Sequence, residues 1–287
     1  MRFGVHVSKA GGLNRALSDA VDLECDTIQM FARSPRSLRP GAINDDEAQA
    51  FKEGLIKHDI KPLVIHCPYL LNLASPKKET YELSVEALAN EITTCRSLDG
   101  DYLVFHPGSH LGTGVEAGID RIARAITKAC DMAELSGDCK LILLLEMVSG
   151  AGTEIGWMFE HQRDIMDKAG NAPLGVCLDT CHMFAAGHDI VTQEGLSGTL
   201  DRLDEIIGLP AVRMVHANDS VGSLGSRLDR HADIGKGMIG DAGFRVILGN
   251  ANLRLLPFIL ETPKTNIEDD KRNLAAIRRL AAEAVIW

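Results

Sequence analysis

Eight short apolar runs, each followed by an amphipathic helical pattern, recur along this chain with no linker and no shift in composition. The runs cover residues 2–7, 27–31, 62–66, 102–106, 141–146, 174–179, 212–216 and 255–261. The helical patterns after them lie near 12–23, 45–57, 78–97, 115–135, 157–168, 192–207, 242–248 and 267–284. Near-continuous apolar strands need cover on both faces, and strands alternating with helices indicate a parallel sheet. Eight such units in 287 residues favour an α/β fold closed into a (β/α)8 TIM barrel, with residues 1–287 as a single domain. A doubly wound sheet would want a glycine-rich phosphate turn after the first strand. Ser8-Lys9-Ala10-Gly11-Gly12 does not match that fingerprint, and Gly235-Lys236-Gly237-Met238-Ile239-Gly240 lacks P-loop spacing. No nucleotide cofactor is therefore expected.

No apolar run approaches the ~18 residues of a membrane span, and residues 1–5 are already strand-like with no secretory pattern. These features predict a cytoplasmic protein without a membrane partner. Seven cysteines without framework spacing fit reduced, mostly buried thiols. The formal net charge of −10 argues against broad attraction to nucleic acid. A basic rim on an acidic body, and cations bound to ligand carboxylates, would offset it.

In a barrel of this kind the chemistry lies at the C-terminal ends of the strands. Here six runs end on His66, His106, Glu146, Asp179, His216 and Glu261, and His182 follows Asp179 by three residues. The loop after the seventh run adds Asp229 and His231, whose spacing of two points both side chains the same way in extended backbone. One histidine at a strand end is ordinarily a satisfied core residue, and Asp179 with His182 could be only a buried hydrogen bond. Six of eight strands ending in such groups is hard to obtain from packing, because an unpaired buried carboxylate costs on the order of several kcal/mol. Imidazole nitrogen and carboxylate oxygen both suit zinc, which takes about three or four protein ligands. Nine groups therefore suit two or three metals, and clustered metals suit phosphate-ester cleavage.

Several long blocks resemble the endonuclease IV family of zinc-dependent apurinic/apyrimidinic endonucleases, in order and over essentially the whole chain. They are Gly4-x-His6-Val7-Ser8-x-Ala10-Gly11-Gly12, His66-x-Pro68-Tyr69-Leu70-x-Asn72-Leu73, Phe105-His106-Pro107-Gly108-Ser109-His110 and Leu145-Glu146. They continue with Gly175-Val176-Cys177-Leu178-Asp179-Thr180-Cys181-His182-x-Phe184-Ala185-Ala186-Gly187, His216-x-Asn218-Asp219-Ser220, Gly225-Ser226-Arg227-x-Asp229-Arg230-His231 and Leu260-Glu261-Thr262.

The resemblance implies a DNA-repair hydrolase that cuts duplex DNA 5′ to an abasic site, leaving a 3′-hydroxyl and a 5′-deoxyribose phosphate. It implies three Zn2+ per chain, with Mn2+ an alternative at some positions. The first zinc would take His66, His106 and a bridging Glu146; the second Glu146, Asp179, His216 and Glu261; the third His182, Asp229 and His231. Glu146, Glu261 and His106 would be catalytic, and the chain is expected to act as a monomer. Arg36 and Tyr69 would push into the duplex at the lesion, with Ser226 and Arg227 contacting its backbone. The loop after the second run carries Arg33, Arg36 and Arg39, a candidate phosphate clamp above the metals. Two departures stand out: Met147 follows Glu146 where the family usually has Asn, and Leu38 stands where a large aromatic is common. The rival readings are a metal-dependent sugar or sugar-phosphate isomerase or epimerase of the xylose-isomerase type, and a noncatalytic DNA-damage binder.

Overall fold

The computed structural model describes residues 1–34, 36–38, 43–135 and 139–287. Eight parallel strands close into a barrel in chain order: β1 (Arg2–His6), β2 (Thr27–Phe31), β3 (Leu63–His66), β4 (Tyr102–Phe105), β5 (Ile142–Glu146), β6 (Leu174–Asp179), β7 (Val212–His216) and β8 (Pro257–Leu260). Closure is complete because β1 hydrogen-bonds to both β2 and β8. The expected α/β barrel is therefore present, with small differences at strand ends. β3 begins after Pro62, which has no N–H for the ladder. β4 stops one residue before His106. β8 begins late because Leu253–Leu255 coil into a 3-10 turn.

Side chains alternate along each strand, and the two faces are buried differently. Val64, Val104, Leu144, Cys177, Met214 and Ile259, one from each of β3 to β8, pack together inside the barrel. Their neighbours, among them Ile65, Leu103, Leu145, Leu178 and Leu260, face the helices in the larger core. Two residues beyond each interior residue stand His66, His106, Glu146, Asp179, His216 and Glu261. The pleat therefore presents these six groups on the inner face, one layer above the apolar plug.

The outer layer is α1 (Leu13–Asp22), α2 (Asp45–Lys57), α3 (Lys78–Ser97), α4 (Val115–Met132), α5 (Phe159–Lys168), α6 (Thr180–Ala186), α7 (Gln193–Ile206), α8 (Gly240–Gly249) and α9 (Ile267–Glu283). Periodic apolar residues, such as Leu13, Ala16 and Ala20 of α1, set the buried face of each helix. Asn44, Thr192 and Asn266 cap α2, α7 and α9, and Asn266 forms a capping box with Asp269. α6 follows directly on Asp179, ahead of the helix α7 that the sequence pattern indicated. The Asp179 side chain caps it by accepting from the His182 N–H, and Gly187 ends it in the left-handed region at φ 103°.

Two long loops return over the rim. After β7, Asp219 and Ser220 pair antiparallel with His231 and Ala232. The buried Asp219 carboxylate accepts from the N–H groups of Ser220, Gly237, Ile239 and Gly240, tying both ends of this loop together. After β2, Arg33 departs from the expected phosphate clamp. It is buried, ion-paired with the fully buried Glu91 of α3, and donates to the Leu38 carbonyl at 2.8 Å. Arg33 anchors the loop from beneath, Arg36 stands exposed on it, and Arg39 lies outside the described residues. Arg33→Ala would strand a buried carboxylate and is expected to cost about 3–5 kcal/mol in urea unfolding. Arg36→Ala, at the surface, should stay within about 0.5 kcal/mol.

Candidate metal centre

The nine groups named from the sequence meet at one rim. His66, His106 and Glu146 form one set, Glu146, Asp179, His216 and Glu261 a second, and His182, Asp229 and His231 a third; in each, one ligand atom per residue lies within 4.8 Å of the others. Glu146 joins the first two sets: Oε2 is 3.0 Å from His66 Nε2 and 3.2 Å from His106 Nε2, while Oε1 is 3.3 Å from His216 Nδ1. Asp229 and His231 do point the same way, with Asp229 Oδ1 3.1 Å from His182 Nε2 and 3.6 Å from His231 Nε2. A fourth set, Asp179, Cys181 and His231, overlaps these.

Four imidazoles are held from behind. His66 Nδ1 donates to the Cys67 carbonyl at 2.7 Å, His182 Nδ1 to that of Met147 at 2.9 Å, and His231 Nδ1 to that of Glu261 at 3.0 Å. His216 Nε2 donates to Gln29 Oε1 at 2.8 Å. With one N–H committed outside, each ring turns its other nitrogen inward. The carboxylates are held too: Asp179 accepts from the His182 N–H and from Asn218 Nδ2, and Glu261 from Gln29 Nε2.

Inward nitrogens and carboxylate oxygens all aim lone pairs at shared space, so the cage attracts positive charge. Glu146 Oε1, His182 Nε2, His216 Nδ1 and His231 Nε2 are buried without a hydrogen-bond partner among the described residues. Each such group costs about 1–3 kcal/mol if left so. Divalent cations would satisfy all four, and a mixed nitrogen and oxygen donor set fits zinc. The electrostatics lean the same way. Burial draws His182 toward the neutral form, but the Asp179 charge and the contacts to Asp229 and Glu146 hold its pKa well above the usual imidazole range. Burial would raise Glu146, yet His106 and His216 hold it well below the carboxylate range. Burial pushes the thiols of Cys177 up to about 11 and of Cys181 up to about 12, so neither is a ready nucleophile. All seven cysteines are free.

Around the cage Tyr69 is 61% exposed, its ring 5.2 Å from Phe31 and 5.8 Å from His66. Ser226 and Arg227 are exposed on the loop after β7, and the Arg227 guanidinium lies 4.4 Å above the Trp157 ring. The two departures are absorbed locally. Position 147 orients His182 through its main-chain carbonyl, which any residue supplies, and Leu38 is half-buried against the core. Sequence reasoning assigned no role to Gln29, Asn218 or His6. Gln29 and His6 carried a signal, being polar residues inside apolar strands. Asn218 lies in a loop, where polarity is unremarkable.

Parallel barrels with imidazoles and carboxylates clustered at the C-terminal rim form a class of metal-binding enzymes, and a family model described as a xylose isomerase-like TIM barrel matches residues 17–283. The chain is 42% identical over 285 residues to a probable endonuclease 4 of Chloroflexus aurantiacus, covering 99% of each. It is 44% identical over 279 residues to a probable endonuclease 4 of Methanoculleus marisnigri, covering 97% of this chain and 98% of that one. The solved endonuclease IV of Thermus thermophilus superposes with a TM-score of 0.87 at 40% identity, covering 99% of this chain and 100% of that one. A D-tagatose 3-epimerase-like protein, at 22% identity and a TM-score of 0.73 over 99% of both chains, shares the fold. The chain belongs to the endonuclease IV family.

Because Glu146 is shared by two sets and Asp229 is not, substitutions should differ in metal content. Glu146→Ala is expected to deplete two metal positions and Asp229→Ala one, counted by elemental mass spectrometry after dialysis. Equal depletion by both would contradict the assignment.

Proposed function

We propose that this protein is an AP endonuclease of DNA repair, hydrolysing the phosphodiester 5′ to an abasic site in duplex DNA and leaving a 3′-hydroxyl and a 5′-deoxyribose phosphate. The observation that carries the reading is the cage: nine imidazoles and carboxylates in three contiguous sets, with four buried atoms lacking partners. Full-length identity to endonuclease 4 relatives supports the same activity. Three Zn2+ would be held, by His66, His106 and Glu146, by Glu146, Asp179, His216 and Glu261, and by His182, Asp229 and His231. Bound divalent ions supply Lewis acidity to a phosphodiester and to water.

The chain's own residues do the rest. Glu146 and Glu261 hold negative charge at the rim in a low-dielectric setting, and the partly exposed His106 borders the opening where a phosphate would enter. The exposed Tyr69 ring and Arg36 are suited to replace stacking lost when an abasic nucleotide leaves the helix. Ser226 and Arg227 would contact the DNA backbone, with Trp157 steadying the guanidinium. All nine groups come from one chain, so the cage is complete without a partner subunit, as a monomer would have it. No helix among the described residues is long and apolar enough to cross a membrane, and a cytoplasmic location suits both DNA access and free thiols. The sugar epimerase reading rests on likeness of fold alone.

Duplex DNA carrying one tetrahydrofuran abasic analogue tests the proposal. Incision should give a 3′ end that a polymerase extends, stop with chelator and resume with zinc. His106→Ala and Glu261→Gln should abolish incision with the circular dichroism spectrum unchanged. Tyr69→Ala should weaken binding by about 1–3 kcal/mol, the worth of one base–aromatic stack. An intact strand after zinc repletion would overturn the assignment.

A further inference from the structure

Two of the eight barrel strands neither contain nor lead directly into any of the nine groups, yet each aims a polar side chain at the cage: His6 of β1 and Gln29 of β2. Gln29 is fully buried within Thr27-Ile28-Gln29-Met30-Phe31, where an apolar residue would satisfy the packing. A buried amide is costly unless its polar atoms are paired. All its hydrogen bonds run to the cage or to His6: Oε1 accepts from His216 Nε2 at 2.8 Å, and Nε2 donates to Glu261 Oε1 at 2.6 Å and to His6 Nδ1 at 3.0 Å. His6 is itself braced by the Phe31 ring, centroid to centroid 4.3 Å.

Only one orientation of that amide is chemically consistent. Reversed, it would set its oxygen against the Glu261 carboxylate at 2.6 Å, two acceptors in contact. As it stands, Gln29 requires the proton of His216 on Nε2. Nδ1 then faces Glu146 Oε1 and Glu261 Oε2, each at 3.3 Å. The same amide pins one oxygen of Glu261 and leaves the other for the cage. A single side chain on β2 thus governs one residue of β7 and the residue that follows β8.

We propose that Gln29 is a positioning residue for the metal position formed by Glu146, Asp179, His216 and Glu261, fixing the ring tautomer of His216 and the carboxylate rotation of Glu261 together. The inference rests on the cage holding metal, as proposed above. Groups that orient metal ligands are typically worth about 10–100-fold in metal affinity. Gln29→Met keeps length and bulk but removes both polar contacts. Gln29→Glu keeps the acceptor for His216 while setting a second carboxylate against Glu261.

The test loads wild type, Gln29→Met and Gln29→Glu with zinc and titrates each against a chelator, following bound zinc per chain by elemental mass spectrometry. In Gln29→Met one zinc should leave at about 10–100-fold lower chelator concentration, with the remaining zinc retained as in wild type. Gln29→Glu should fall between the two. Thermal unfolding midpoints of the zinc-free proteins should match, so that any difference lies in zinc retention and not in the fold. Superposable zinc-release curves, or a loss spread evenly over every zinc, would overturn the inference. Wild type that retains no zinc would instead refute the metal cage, and this inference with it.

Discussion

Three carboxylates, Glu146, Asp179 and Glu261, converge on one end of the barrel, with Glu146 and Asp179 wholly buried. Buried charge is tolerated only when paired and hydrogen-bonded, because removing it from water costs more than packing returns. The organisation of the C-terminal rim answers that constraint. Imidazoles from β3, β7, α6 and the loops interleave with the carboxylates. Asn218 and Gln29 donate to them, and main-chain carbonyls hold the proton-bearing sides of the rings outward. What is left unsatisfied is a set of lone pairs aimed at shared space, which protons fill incompletely and divalent cations would fill well.

The cage stands on a rigid floor. The interior side chains Val64, Val104, Leu144, Cys177, Met214 and Ile259 form a dry plug, and the ligand layer is the next inward turn of the same pleat. Two buried charged anchors extend that rigidity into the loops: Asp219, bonded to four main-chain N–H groups, and Glu91, paired with Arg33. Exposed residues such as Arg36 and Arg227 therefore project from supported backbone. A site that must grip a large, charged polymer without shifting its reactive groups needs this separation of floor from surface.

Much of this was legible because two periodicities coincide. Apolar runs separated by helical patterns announced eight strand–helix units, and closure followed from their number within 287 residues. The convergence of His66, Glu146, Asp179 and His216 was legible because each ends a run, and strand ends in a parallel barrel share one rim. Other features depend on contacts that no single stretch contains. Arg33 reads as a surface cation until Glu91, far along the chain, is seen beneath it. Gln29 stands out in the sequence only as a polar residue in an apolar strand, and its partners appear when closure brings it against His216 and Glu261, 187 and 232 residues away. α6 was hidden because its cap, Asp179, is also a cage residue, and seven residues carry little periodic signal.

Whether these groups share metal ions decides how the rim works. Diffraction data from zinc-loaded crystals, collected on either side of the zinc absorption edge, test that most directly. Three anomalous peaks are expected, the first among His66, His106 and Glu146, the second among Glu146, Asp179, His216 and Glu261, and the third among His182, Asp229 and His231. A single peak, or none within reach of Glu146, would contradict it.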